Sequence, residues 1–204
     1  MKTIIVFFFL FAQFLYAQST NEILKKAQEK FNSISSFSAA FSQAIVNPQG
    51  KSTGKDNGTF IYKRKNKFIV EQKNSTIVSN GESVWNYDKK NKKVIISPFY
   101  DDPTSFSLER FIFDYPALCR IKFVKEESND NEKVILLTPK DDQLDVKEIK
   151  IWINNSNLIS KLEIVDLLDL RFSFRFTDIK ENPEISESRF TFYPPNGTKI
   201  IDLR

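Results

Sequence analysis

The sequence predicts a mainly β (α+β) protein built on a strongly curved antiparallel sheet. Three observations favour this class. Apolar and polar residues alternate with period two over roughly ten or eleven segments, the pattern of strands that bury one face. One segment near the N-terminus has helical periodicity, and one proline-containing apolar segment interrupts the strand series. We expect these two helical segments to cover a concave apolar face of the sheet.

Residues Met1–Ala17 have the features of a secretory signal peptide. Lys2 supplies the positive start, Ile4–Phe11 forms the apolar centre, and Ala17 is the small residue expected before the cleavage point. The apolar run is too short to cross a bilayer as a helix. Cleavage would leave residues 18–204 as one soluble exported domain, and the absence of a cysteine at the junction argues against a lipid anchor.

An amphipathic helix is predicted over Ser19–Ile34, where Ser19 and Glu22 match a capping box. Its apolar residues recur at helical spacing and form one stripe: Ile23, Leu24, Ala27, Phe31 and Ile34. The pattern then changes to period two over Phe37–Val46, which predicts a strand. Residues 47–57 contain proline, glycine and mixed charges, and are expected to form a loop.

Thr59–Ile96 is predicted to form strands joined by tight turns. Asn80-Gly81 is the strongest hairpin signal, because both residues tolerate the positive φ that a two-residue turn requires. Alternation predicts that one face of these hairpins carries large side chains: Phe60, Tyr62, Phe68, Val70, Trp85 and Tyr87. Such a face does not remain in water, so either the protein itself or a ligand must cover it.

Ser97–Leu118 breaks the strand pattern with three prolines, at 98, 103 and 116. Asp102-Pro103 followed by Thr104–Phe113 predicts a short helix with proline in its first turn. Two interpretations remain open at this point. Tight docking of this segment would give a filled core, whereas loose docking would make it a lid over a cavity for an apolar ligand.

Strand patterns resume after this segment and continue to the C-terminus. The predicted strands are Arg120–Glu126, Lys133–Thr138, Val146–Ile153, Leu158–Asp166, Leu170–Phe176 and Arg189–Pro195. Asp141-Asp142 is expected to be a solvated turn, because neighbouring side chains in a turn point apart and cannot share a metal ion. Asn196-Gly197 is predicted to form another turn.

The composition argues against enzymatic chemistry. The chain has no histidine, which excludes a Ser-His-Asp or Cys-His system and every His-ligated metal site. Cys119 is the only cysteine and is expected to be a small buried hydrophobe, so no disulfide forms within the chain. The formal charge of +4 is spread among interspersed acids and bases, which argues against a nucleic-acid partner. We expect no enzyme activity, no cofactor and no metal.

Five blocks of the mature chain resemble the LolA-type periplasmic carriers of outer-membrane lipoproteins. In order, they are SISSFSAAFSQ (Ser33–Gln43), GTFIYKRKNKF (Gly58–Phe68), IVSNGESVWNYD (Ile77–Asp88), LTPK (Leu137–Lys140) and FTFYPPNGTKIID (Phe190–Asp202). The resemblance implies an unclosed β-barrel with a helical lid over a hydrophobic cavity. It also implies a soluble, monomeric periplasmic chaperone that binds the acyl chains of lipoproteins. An inner-membrane ABC-type lipoprotein-releasing complex would load it, and an outer-membrane acceptor would unload it.

Specific residues are assigned roles by this resemblance. Arg64 falls on the arginine that latches the lid by hydrogen-bonding its backbone, and Phe68 on the aromatic residue associated with cargo acceptance. The residues expected to line the lipid-binding cavity are Phe31, Phe37, Phe41, Phe60, Tyr62, Phe68, Val70, Trp85 and Tyr87, and those expected in the lid are Phe106, Leu108, Phe111 and Ile112. The chain departs from the family pattern at Lys65, where proline is usual, and at Asn80, where aspartate is usual.

Two other functional classes fit the same fold. A LolA-like carrier could transport another amphiphile, such as a glycolipid or a pigment. An envelope module could sense lipids or act structurally, with no transport role, but it would need an effector domain. A lipid hydrolase would need a base, and the chain has no histidine to serve as one.

Overall fold

The computed structural model of the protein describes residues 20–101 and 107–204. The predicted signal peptide, the N-cap residue Ser19 and the proline-containing start of the predicted lid therefore lie outside the described residues. Within them, the predicted class is confirmed: the protein is mostly β, with an antiparallel sheet that is not closed and with two short helices.

The first helix, α1, covers residues 20–33, as the apolar stripe predicts. A π-helical turn at Arg110–Asp114 leads into the second helix, α2, at Tyr115–Leu118. Three short 3-10 turns lie at Phe99–Asp101, Lys125–Glu127 and Glu187–Phe190. The strands are β1 (Ser36–Val46), β2 (Ser52–Lys63), β3 (Lys67–Gln72), β4 (Ser75–Asn80), β5 (Ser83–Asp88), β6 (Lys93–Pro98), β7 (Cys119–Phe123), β8 (Glu132–Pro139), β9 (Val146–Asn154), β10 (Ile159–Asp166), β11 (Arg171–Glu181) and β12 (Lys199–Asp202).

These strands form one 12-stranded sheet in the order β12-β6-β5-β4-β3-β2-β1-β11-β10-β9-β8-β7. Two antiparallel meanders, β2–β6 and β7–β10, account for most of it. Strand β12 pairs with β6 in parallel, and Ile200 lies opposite Val94. The edge strands β12 and β7 stand at opposite ends of the order, so the sheet is open.

The chain divides into two compact units. The first comprises Met1–Ser33, Ile45–Thr53 and Arg110–Phe174, and the second Ile34–Ala44, Gly54–Glu109 and Arg175–Arg204. In the first unit, strand register places large aliphatic side chains on one face of β8–β10, and the members with no exposed surface are Ile135, Leu137, Ile149, Ile151 and Leu162. In the same unit α1 contacts the helical segment: Gln28 Nε2 donates to the Ile112 carbonyl oxygen at 2.9 Å.

The second unit is organised around the β2–β6 meander, whose strands are buried on both faces. Phe60, Ile61 and Tyr62 are consecutive in β2, and none exposes more than 5% of its surface. Because successive side chains in a strand point to opposite faces, this run requires apolar neighbours on both sides of the sheet. Residues of the chain itself cover both faces of the meander, and the two sets of covering residues differ in amino-acid composition.

Two predicted elements are wrong. The loop expected over residues 47–57 is shorter, because Asn47 and Lys51 close a compact turn (Asn47 N to Lys51 O, 3.0 Å) and β2 begins at Ser52. The strand expected over Arg189–Pro195 is instead the 3-10 turn Glu187–Phe190 followed by irregular chain. Phe190 and Phe192 in that segment pack onto the meander with their side chains rather than pairing with it as a strand.

Candidate functional site

Aromatic rings from several strands of the second unit meet on one face of the meander. Phe37 lies between Phe60 and Tyr62, with ring centroids 5.5 and 5.3 Å apart. Phe60 also contacts Phe68 at 6.4 Å and Phe176 at 5.7 Å. These separations fall in the range of favourable aromatic pairs. We call this group, completed by Phe99 at 6.4 Å from Phe68, the aromatic cluster; all its members are buried.

Hairpin register explains why these rings converge. Tyr62 opposes Phe68 and Phe60 opposes Val70 across the β2–β3 pair, so all four side chains lie on the same face. Gly58 lies on the same strand. A Cβ atom there would come within 2.0 Å of the Glu71 carbonyl oxygen and 3.0 Å of a ring carbon of Phe41. Glycine at this position therefore allows the buried Phe41 ring to approach the backbone.

A polar network joins the rim of the aromatic cluster to residues 107–109, where the helical segment begins. The Tyr62 hydroxyl donates a hydrogen bond to Glu109 Oε1, and the Asn66 backbone N–H donates to the same oxygen at 3.3 Å. The Ser107 hydroxyl donates to Asn66 Oδ1 at 2.7 Å. We call these four residues the Tyr62–Glu109 network. Burial, and then the Glu109 carboxylate, raises the pKa of Tyr62 well above its usual range, so the phenol keeps its proton and acts as a donor.

Arg64, the expected latch, lies at the β2–β3 turn. Its Nε donates to the Ile34 carbonyl oxygen at 2.8 Å, and its backbone N–H donates to the Ser35 carbonyl oxygen at 3.0 Å. These bonds hold the turn against the chain that follows α1. Residues 107–109 are held by Tyr62 and Asn66, whose hydrogen-bonding role the sequence did not reveal.

The backbone of the β2–β3 turn is incompatible with proline at position 65, the residue that is usual there in the family. Lys65 has φ of 68° and Asn66 has φ of 56°. Proline is fixed near −65°, so it cannot occupy position 65 in this turn. Lys65 and Asn66 therefore adopt a left-handed backbone conformation where the family usually has proline. In this turn the Asn66 N–H faces Glu109 and the Asn66 side chain faces Ser107.

Trp85 and Tyr87 do not lie with the aromatic cluster, and the prediction that they share its face is wrong. Trp85 pairs with Val78 across strands β4 and β5, and Val78 pairs with Ile69 across β3 and β4, so these three side chains share one face. Ile69 follows Phe68 in β3, and neighbouring side chains of a strand lie on different faces. Trp85 and Tyr87 therefore lie on the other face of the meander. There they form a second group, the Trp85 cluster, with Ile61, Ile69, Val78, Val94, Ile96, Ile185, Phe190 and the half-buried Phe192.

The remaining expected residues divide between the two units. Phe31, in the first unit, packs edge-on against Phe113 with ring centroids 6.0 Å apart. Phe111 and Ile112 are buried in the same unit, and Leu108 is buried in the second. Phe106 lies outside the described residues.

Phe99, Phe176, Asn66 and Glu109 were not identified from the sequence. Phe176 ends the predicted strand Leu170–Phe176, and its period-two spacing from Phe172 and Phe174 indicated that it faces the same side as they do. Phe99 follows a proline outside any strand pattern, and Glu109 lies in a segment without a motif, so no sequence signal pointed to either.

Other chemistry is limited in the part of the chain that the structure describes. Cys119 is buried as expected, and burial raises the pKa of its thiol, which disfavours the reactive thiolate. Within residues 20–101 and 107–204, no group of three or more Cys, Asp or Glu side chains is placed to hold a metal ion. None of the described helices has the length and apolar character needed to traverse a bilayer.

Comparison with known proteins identifies the family. The sequence profile of the family described as "Outer membrane lipoprotein carrier protein LolA" matches residues 32–193. A protein of Francisella tularensis subsp. tularensis named "Outer-membrane lipoprotein carrier protein" is 29% identical to this chain over 213 residues, covering 98% of this chain and 97% of its own length. A protein of the same name from Serratia proteamaculans is 26% identical over 216 residues, with full coverage of both chains.

Among solved structures, an uncharacterized conserved protein from Thermus thermophilus has a similar fold. Its TM-score is 0.58 at 11% identity, covering 90% of this chain and 99% of that one. This likeness concerns the fold alone. The profile match extends from the end of α1 to the cover of the Trp85 cluster, and so includes the strands of both units. On that match, the chain belongs to the LolA family of outer membrane lipoprotein carrier proteins.

Proposed function

We propose that the protein is a periplasmic carrier that binds the acyl chains of lipoproteins at the aromatic cluster and takes them from the inner to the outer membrane. Family membership supports the carrier role. The observation that carries the proposal is the aromatic cluster, where Phe37, Phe60, Phe68, Phe99 and Phe176 give a deeply apolar surface beside a single hairpin. The protein acts by binding and release, without enzyme activity.

Acyl chains enter, in this proposal, when residues 107–109 separate from the β2–β3 hairpin. Burying an acyl chain is worth ~0.8 kcal/mol per CH₂, so one sixteen-carbon chain gains on the order of 10 kcal/mol. The bonds that hold residues 107–109 contribute roughly 0.5–3 kcal/mol each, depending on the charge of the partner. Breaking these hydrogen bonds on opening subtracts from the free energy gained by burying the acyl chain. Net binding is therefore weaker but still favourable, as required of a carrier that must release its cargo.

Arg64 has a related role. We propose that it stabilises the closed state of the hairpin, as the family resemblance implies, through its bond to Ile34. Phe37 and Ile34 belong to the same stretch of chain, so Arg64 and the aromatic cluster are linked through the start of β1. In this proposal the open, lipid-loaded state lacks this bond. Release of the lipid allows the hairpin to close and the bond to form again, so the bond favours release.

The proposed route includes a signal peptide at residues 1–17, loading by an inner-membrane ABC-type lipoprotein-releasing complex and delivery to an outer-membrane acceptor. The carrier works as a monomer. Phe41 and Val70 extend the acyl-binding surface. The family resemblance implies the same role for Phe31 and a lid role for Phe106, Leu108, Phe111 and Ile112.

Native mass spectrometry of the mature protein purified from its own periplasm tests the proposal, when followed by lipid extraction. A bound triacylated peptide is the expected result. A bound glycolipid or pigment would overturn the lipoprotein cargo and replace it with another amphiphile. Empty protein that also excludes a hydrophobic dye would contradict carrier function altogether, because the aromatic cluster would then be an ordinary core.

A further inference from the structure

A cavity of about 520 Å³ lies in the second unit, where the β2–β3 and β4–β5 turns meet the C-terminal segment. We call it the turn cavity. Its volume is in the range of ligand-binding sites. The polar residues of its lining are Lys65, Lys67, Asn80, Glu82, Glu187 and Thr191. Acyl binding at the aromatic cluster leaves these residues unused.

The two turns that form the turn cavity are held together. The Ser79 hydroxyl donates to the Asn66 carbonyl oxygen at 2.9 Å, which joins one turn to the other. A Cβ atom at Gly81 would come within 2.3 Å of the Lys65 carbonyl oxygen, so the turns touch at this point. Asn80 Oδ1 accepts two backbone N–H groups of its own turn, at 2.9 and 2.8 Å. A cavity with fixed walls loses little conformational entropy when it binds a ligand.

The turn cavity lies beside the proposed entrance for acyl chains. Asn66 holds residues 107–109 through its N–H and its side chain, and its neighbours Lys65 and Lys67 line the cavity. The acyl chains of a lipoprotein are joined to its polypeptide, so the polypeptide must leave the carrier where the chains enter. Because an extended chain covers ~3.3 Å per residue, the first few residues after the acylated one can reach the turn cavity.

The lining of the turn cavity carries two positive and two negative side chains. Lys67 pairs with Glu187 at 2.6 Å. Among the residues that the structure describes, Lys65 and Glu82 have no ion-pair partner. The Thr191 hydroxyl adds a group that can both donate and accept a hydrogen bond. The cavity therefore offers donors and acceptors together, with no excess of charge.

The basic side chains just outside the lining are already engaged. They form the ion pairs Lys63–Glu187, Arg189–Glu71 and Arg204–Asp202, and Arg64 binds the Ile34 carbonyl. Two carboxylates line the cavity itself, and like charges placed together are repelled. A phosphate headgroup is therefore a poorer match for this cavity than a ligand that has both donors and acceptors.

We propose that the turn cavity binds the peptide that follows the acylated residue of the lipoprotein cargo, an assignment that rests on the proposed function. A peptide backbone has one N–H and one C=O group per residue, which suits a lining of donors and acceptors. Lys65 can pair with an acidic side chain of that peptide and Glu82 with a basic one. The carrier then recognises the start of the polypeptide as well as the acyl chains.

The test compares two ligands that differ only in the peptide: a triacylated cysteine amide, and the same cysteine followed by a short hydrophilic peptide. Displacement of a fluorescent fatty acid gives both affinities. We expect wild type to bind the lipopeptide about tenfold more tightly than the amide. Thr191→Trp fills the cavity and should remove this difference, without changing the affinity for the amide. Circular dichroism checks its fold.

Charge is tested with lipopeptides whose peptides carry either aspartate or lysine. Lys65→Gln should weaken binding of the aspartate peptide alone by about threefold, and Glu82→Gln should do the same for the lysine peptide alone. Lys90→Gln is the matched control, an exposed lysine at the β5–β6 turn. It should bind every ligand as wild type does. These variants decide the question if Thr191→Trp unfolds.

Equal affinity of wild type for the amide and the lipopeptides overturns the assignment. An equal loss for both kinds of ligand in Thr191→Trp also overturns it, because the cavity would then belong to the acyl-binding surface. So do unchanged peptide preferences in both glutamine variants. If glycerol 3-phosphate abolishes the advantage of the lipopeptide, the cavity binds a headgroup instead. If wild type binds neither triacylated ligand, it is the proposed function that fails.

Discussion

Both faces of the β2–β6 meander are buried, but the residues that cover one face are held by side-chain packing and those at the rim of the other by hydrogen bonds. The Trp85 cluster is covered by side chains of the C-terminal segment, chiefly Ile185 and Phe190, of which Phe190 is only 1% exposed. The rim of the aromatic cluster is closed by residues 107–109, which are attached by hydrogen bonds to Tyr62 and Asn66. Removing a large buried ring costs about 3–5 kcal/mol, whereas each hydrogen bond contributes roughly 0.5–3 kcal/mol and can be exchanged for a bond to water on opening. This difference supports the proposal that the aromatic face is the one that opens.

The largest effect is expected from Phe190→Ala. This change should lower the free energy of unfolding by about 3–5 kcal/mol, because it removes a fully buried ring from the Trp85 cluster. Urea denaturation measures it, with Tyr193→Ala as the control, since Tyr193 is 79% exposed. If Phe190→Ala unfolds no more easily than the control, the Trp85 face is not the permanently closed one.

Phe68→Glu should weaken acyl binding, because it places a carboxylate among the apolar rings of the aromatic cluster. We expect affinity for a fluorescent fatty acid to fall by about tenfold or more. Phe68→Leu is the matched control, which keeps the apolar character at smaller volume. Circular dichroism identifies any loss of fold, and unchanged affinity in a folded variant would place Phe68 outside the acyl-binding surface.

Arg64→Leu should leave the fold intact, retain lipid more tightly and slow its release to an acceptor membrane. The bond from a charged donor to the Ile34 carbonyl contributes roughly 1.5–3 kcal/mol to the closed state, so release should slow by about tenfold or more. Arg64→Lys keeps the positive charge, and its release rate should lie between the rates of Arg64→Leu and wild type. Equal release rates for Arg64→Leu and wild type would remove the latch role.

Tyr62→Phe removes one bond of the Tyr62–Glu109 network and leaves the ring in the aromatic cluster. We expect acyl affinity to rise by about tenfold or more, because opening then loses one hydrogen bond fewer, a bond to a charged acceptor worth roughly 1.5–3 kcal/mol. Tyr87→Phe, in the Trp85 cluster, makes the same chemical change on the other face and should have no effect. Equal changes in both variants would contradict the distinction between the faces.

The smallest effect concerns pH. Hydrogen bonds from Lys63 and Lys67 lower the pKa of Glu187, beside the Trp85 cluster, to about 2. A lowered carboxyl pKa stabilises the folded state above its unfolded value near 4.5, and this contribution is lost as pH falls from there towards 2. Glu187 is 61% exposed, so the effect is modest. Glu187→Gln should flatten the fall in stability below pH 5, measured by thermal unfolding, without altering acyl binding. An identical pH profile in the variant would show that the two lysines do not stabilise this cover.

Period-two alternation was sufficient to predict most strands, because apolar side chains recur at every second position along them, as Phe37, Ala39 and Phe41 do on the buried face of β1. Alternation could not determine the face on which Trp85 lies, since the face depends on the register set at the turns before it. At the Asn80-Gly81 turn only Gly81 has positive φ, 92°, while Asn80 Oδ1 accepts the N–H groups of Glu82 and Ser83 at 2.9 and 2.8 Å. Glu109 was beyond prediction for a related reason. Its partner Tyr62 lies 47 residues away, and no spacing rule connects them.

Phe176, Ile185 and Phe190 come late in the chain, and this order has a consequence for biogenesis. Ile185, Phe190 and Phe192 belong to the Trp85 cluster, so that face of the meander lacks them until the last segment arrives. A chain that emerges N-terminus first from an export channel would expose Ile61, Trp85 and their neighbours throughout translocation. We expect the nascent chain to depend on a holding chaperone during that interval, because exposed apolar surface makes partly folded chains prone to aggregate.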